Sequence, residues 1–189
     1  AIALRGELGI HNATPIASVM LETDVRCYAD QFEGGTHKRR PRHVIEAQFA
    51  TPFLVAVALL RGQVRIADVA GLGDANILAL ADRVTGRAVP NHERGWARLT
   101  VSLHDGRTAT SEVSRATGSP DKPIPDDALD AKFRDCAANA AVPVSRAAAD
   151  AAIEFVRNLP QQPDLRGLFP GVQMPHARGS VITSLAPAK

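Results

Sequence analysis

The side chains best able to do chemistry stand close together, in His37-Lys-Arg-Arg-Pro-Arg-His43 and just beyond it at Glu46, Gln48 and Thr51. Arginine holds a carboxylate through two parallel N–H donors, so Arg40 and Arg42 suit a polycarboxylate ligand. Three other readings compete with that one. Basic runs also sit on nucleic-acid phosphates, but no aromatic platform accompanies these charges. His37, His43 and Glu46 contain metal-ligating groups, yet their spacing fits no usual ligand set and no cysteine lies nearby. The plainest reading is a solvated loop. Nucleophilic catalysis has no local support: there is no G-x-S-x-G, and Cys27 and Cys136 fall at a strand end and on a helix stripe, where structural thiols are usual.

These groups need something rigid behind them, and the next segment supplies it. From Ala47 to Leu60 the only polar side chains are Gln48 and Thr51. A helix apolar on every side must be buried on every side, and this one is too short to cross a bilayer. Its polar pair lies at the N-terminal end, where free N–H groups and the helix dipole favour an anion, so the pair either caps the helix or faces a ligand.

Elsewhere the pattern is mixed. Residues 1–8 read as a helix ending at Gly9. Val19, Leu21, Thr23 and Val25 alternate as a half-buried strand, and residues 30–42 read as a loop. Asp74 caps a helix running through Arg83, with Ile77, Leu78, Ala81 and Val84 inward. Ala97, Leu99, Val101 and Leu103 alternate before Asp105-Gly106, a dipeptide suited to a two-residue type I′ hairpin turn. A Pro-rich connector leads to a helix carrying Leu129, Phe133, Cys136 and Ala137, with Asp126 and Asp127 in its first turn. Ser145 caps a last helix to Leu159. The fold class expected is α+β, a small antiparallel sheet with helices packed on one face.

The 189 residues carry a net charge of +2, too balanced to argue for nucleic acid. Two cysteines make no disulfide framework, and with no signal peptide, span or lipidation motif a cytoplasmic protein with no membrane contact is expected. The chain begins inside a helical pattern without a Met, as a piece of a longer protein would.

Four stretches together resemble one family. Gln48-Phe-Ala-Thr-Pro-Phe-Leu-Val-Ala-Val-Ala-Leu-Leu-Arg-Gly62 resembles the "AQFS-x-P-[YF]…A-x-A-L-x-x-G" segment of the MmgE/PrpD family. Ala1–Gly9, Val101–Thr108 and Gly118–Phe133 resemble its opening helix, its hairpin and its "G-x-P-x-x-P-[LI]-x-x-x-x-L-x-x-K-F" motif in order. That family includes 2-methylcitrate dehydratases, cis-aconitate decarboxylases and related lyases and epimerases. The resemblance implies the family's second domain over residues 1–142, a helix at 143–160 that returns to a preceding all-helical domain, and a poorly structured tail at 161–189. It implies cofactor-free proton abstraction beside a carboxylate, with this chain lending a pocket wall of Gln48, Thr51 and Phe53, assisted by Arg40 and Arg42. Many relatives carry Tyr where Phe53 stands, and phenylalanine has no proton to give. The family's acid and base residues would precede Ala1, so no catalytic residue is assigned here. A homodimer or a helical partner would cover the last helix. The competing expectation is a non-catalytic binding or assembly module.

Overall fold

The computed structural model describes residues 1–168. Helix α1 (Ile2–Leu8) ends at Gly9, whose φ of 64° is the left-handed stop expected. Strand β1 (Ile16–Thr23) follows, then the short helices α2 (Val25–Tyr28), α3 (Val44–Gln48), α4 (Thr51–Arg61), α5 (Ile66–Ala70) and α6 (Ala75–Asp82). Strands β2 (Val84–Ala88), β3 (Ala97–Leu103) and β4 (Thr108–Val113) complete a sheet of order β2-β1-β3-β4. Two helices close the described chain, α7 (Asp126–Ala138) and α8 (Arg146–Arg157).

The fold is α+β, with two differences from the strand pattern expected. β2 was not foreseen: it runs parallel to β1, and Val84, assigned from sequence to the inner side of a helix, is its first residue and fully buried. Thr85, Gly86 and Arg87 hide the strand, because they offer no apolar alternation to read. At the other end β1 stops at Thr23, and Asp24 accepts the N–H groups of Arg26 and Cys27, so Val25 and Cys27 belong to α2.

One face of the sheet forms the core. Val19, Leu21, Val84, Leu99, Val101 and Leu103 point inward, and Leu4, Phe53, Val57, Leu59, Ile77 and Leu80 from α1, α4 and α6 cover them. The other face is polar. Glu22, in register with both Arg87 and Arg98, stands between them, and Arg98 is in register with Glu112. The result is one row of alternating charge across all four strands. Glu22 is buried beneath its two arginines, which hold its carboxyl below the usual range, the Arg87 hydrogen bond foremost.

The hairpin pairs as expected, but its turn is longer. The Leu103 N–H donates to Arg107 and the Gly106 N–H donates back to Leu103. Only Gly106 is left-handed, with φ 88°, so His104, Asp105 and Gly106 form a three-residue loop. A type I turn closed by a left-handed glycine fits this pattern, in place of type I′. The Asp105 carboxylate favours it by accepting the Arg107 N–H at 3.0 Å.

The long apolar segment is also two helices. It breaks at Phe49-Ala50, and Pro52, which lacks an N–H, sits in the first turn of α4, where no donor is needed. α4 buries Phe53, Ala56, Val57, Ala58 and Leu59, while Leu54, Val55 and Leu60 are half-buried, so one side is less sealed than the composition suggests.

α7 and α8 form a separate antiparallel pair. Ala149 and Ala152 are buried but lie outside the main core, and α7 buries nothing. The apolar stripe read from the sequence on α7 is not sealed by the core: Leu129 and Phe133 stay exposed, as does Val156 of α8. A side-chain cap opens α8, where Ser145 accepts the Ala148 N–H, whereas α7 starts after Pro125 without one. The segment expected as a tail falls largely outside the described residues.

Candidate functional site

The break between α3 and α4 strands a donor on one side and an acceptor on the other, and both are met from the preceding loop. A π-helical turn at Ala29–Glu33 aims Gln31 inward. Its side-chain oxygen accepts the Thr51 N–H at 2.8 Å, one of the unpaired donors that open α4. The Lys38 ammonium donates to the Phe49 carbonyl at 2.9 Å, and its side chain is only 11% exposed. Asp30 joins the two: it accepts from the Gln31 amide and lies 3.7 Å from the Lys38 ammonium. This Asp30–Gln31–Lys38 network fixes the corner at which the expected site residues stand.

Those residues take different places. Gln48 is exposed on the outer side of α3, and Thr51 is half-buried at the first position of α4. Ile45 and Phe49 flank them in water, 67% and 66% exposed. Arg42 stands just before α3, paired with Glu46 at 3.1 Å and donating its own N–H to that carboxylate at 2.7 Å. Phe53 does not join this surface. Its ring is fully buried in the core, out of reach of any ligand at that surface. Arg40 turns away too, gripping the Asp82 carboxylate at the end of α6. Arg39 donates to the Val84 carbonyl at 3.2 Å and lies over the Phe32 ring. Much of the basic run is therefore committed to anchoring its own loop.

The chemistry available at this corner is binding rather than proton transfer. His43 caps α3, its Nδ1 accepting the Glu46 N–H at 3.3 Å, while Nε2 lies 3.4 Å from the Glu46 carboxylate. With both nitrogens engaged, the ring has no lone pair left for a base. Glu46 is held below the usual carboxylate range, first by the Arg42 N–H and then by its guanidinium, so it stays an anion and no acid. A cavity of about 420 Å³ opens on the far side of Asp30, lined by Asp24, Arg26, Cys27 and Arg94. Burial pushes the Cys27 thiol up, the opposite of what a nucleophile needs. Among the described residues no cluster of three or more His, Cys, Asp or Glu is placed to hold a metal ion. No described helix is long and apolar enough to cross a membrane.

Sequence reasoning missed Asp30 and Gln31 and read Lys38 only as part of a charge run. Nothing in the local pattern marks them, because their partners lie 11 and 20 residues onward.

The model of the MmgE/PrpD C-terminal domain matches residues 1–161, and the chain belongs to that family. No curated protein matches it.

Proposed function

With that membership as premise, we propose that this chain is the binding half of a cofactor-independent, lyase-like enzyme acting on a small di- or tricarboxylate. It lends the wall of a pocket whose acid and base come from another segment. The observation that carries this reading is the α3–α4 corner: Gln48 and Thr51 flank a braced break, Arg42 stands just before α3, and Ile45 and Phe49 are bare beside them. Exposed apolar side chains rimmed by polar ones suit an interface, and a pocket closed between two segments would use both kinds. Arg42 and the Gln48 amide would hold a carboxylate. Dehydration and epimerisation begin by taking a proton beside that carboxylate, and decarboxylation ends by giving one to the carbon that has lost carbon dioxide; no group at this corner is free to do either.

The bare α7–α8 face supports a partner as well, either a helical segment of the same enzyme or a second copy in a homodimer, in the cytoplasm. A non-catalytic assembly module would use this face alone and leave the corner without a ligand.

The test is turnover of 2-methylcitrate and cis-aconitate by the purified chain, alone and mixed with the all-helical half of a family member. The chain alone should be inert. The mixture should turn over, and Gln48→Ala should raise KM. Turnover by the chain alone, lost on mutation within it, would overturn the reading; a mixture that associates but stays inert would favour the assembly module.

A further inference from the structure

A groove of about 740 Å³ lies away from that corner, where the start of α5 faces the α7–α8 pair. Four cations line it, Arg65, Lys132, Arg134 and Arg146, against one carboxylate, Asp135. Arg134 and Arg146 are offset by nearby carboxylates, so the groove's free positive charge rests on Arg65 and Lys132.

The acids near the groove are already committed. Asp135 accepts the Ile66 N–H at 3.3 Å and the Asn139 amide at 3.3 Å. Asp150 is shared by two guanidiniums, Arg134 at 2.5 Å and Arg146 at 3.0 Å. Among the described residues neither Arg65 nor Lys132 has an ion-pair partner. Both are exposed on the groove's lining, so their N–H groups are available without breaking any contact. Val64 and Ile66 add an apolar strip beside them.

We propose that this groove is a second ligand site, taking a small, multiply charged oxyanion, carboxylate or phosphate, between Arg65 on one wall and Lys132 on the other. Arg134, bound through Nε to Asp150 and with Nη2 3.8 Å from Asp130, would add Nη1 as a third donor. A ligand here would also tie α7–α8 to α5, which the Ile66–Asp135 hydrogen bond alone now joins by a polar contact among the described residues.

Calorimetric titration of the full chain at low ionic strength, with citrate and with pyrophosphate as probes, tests this. One saturable site is expected for at least one anion, and the tighter of the two identifies the chemistry. Arg65→Ala and Lys132→Ala should each weaken binding roughly tenfold, the loss of one charge-assisted contact. Both side chains are exposed, so the variants should melt like the parent. Arg42→Ala, at the α3–α4 corner, should leave this binding unchanged, which separates it from the carboxylate wall proposed above. No saturable binding, undiminished binding by the Arg65/Lys132 double variant, or loss on Arg42→Ala would each overturn the proposal.

Discussion

Phe53 and Phe133 both lie on the apolar stripe of a helix, yet Phe53 is sealed from water and Phe133 is 37% exposed. The first sits in a core that closes on itself: a sheet face with branched residues from three strands, covered by α1, α4 and α6. The second sits on a pair of helices that meet through two alanines and hold their outer surfaces with ion pairs, Asp130 to Arg157 and Asp150 to Arg134 and Arg146. Each pair keeps at least one partner open to water, Arg157, Asp150 or Arg146, so each contributes modestly. The contrast separates what this chain stabilises unaided from what it leaves for another surface, and substitutions can press on each side of it.

The largest effect should come from Phe53→Ala, costing about 3–5 kcal/mol in chemical denaturation, as deletion of a buried ring does. Phe133→Ala should cost under ~1 kcal/mol in the chain alone. Equal losses at the two positions would erase the distinction between the regions.

Gly86→Ala should follow. A Cβ at position 86 would run into the Phe32 ring, which packs flat on β2, so the substitution should cost roughly 1–3 kcal/mol by overpacking. A gain in melting temperature would show that Phe32 moves aside freely. Removal of the α8 cap by Ser145→Ala should cost about 1 kcal/mol, read in the helical circular dichroism signal while the core stays intact.

The smallest effect concerns acid. The folded-state carboxyl of Glu22 titrates below its unfolded value of about 4.3, so it adds stability above that value and loses it as pH falls through the depressed one. Glu22→Gln should therefore flatten the acid limb of the stability curve and leave neutral-pH salt dependence unchanged. The Asp150 pairs, open to solvent, should instead weaken with added salt.

The legible parts were those with a local period or cap. Leu99, Val101 and Leu103 gave away β3, Asp74 and Ser145 marked two helix starts, and Gly9 marked a stop with φ 64°. β2 was illegible because it is short and sits flush against the end of α6. The break before α4 was hidden by unbroken hydrophobicity, although Pro52 stands at it. At the candidate site the sequence singled out Gln48 and Thr51, which the fold places on either side of the break between α3 and α4, and Arg42, which it places just before α3. It could not show that Phe53 faces inward, that Arg40 leaves for Asp82, or that Gln31 and Lys38 brace the corner, since each depends on a contact made only once the chain has folded.

The parallel pairing of β1 with β2 has a bearing on time. β1, β3 and β4 are antiparallel neighbours, and β3 and β4 close through three residues. β2 cannot align with β1 until residues 24–83 have wound into five helices and returned the chain to its starting edge. Contacts that close so long a loop slow the search for the native state, so the rate at which this chain folds should follow the formation of that crossover rather than the hairpin. Substitutions in β2 and α4 would then change the folding rate, and those in α7–α8 chiefly the rate at which the helices come apart.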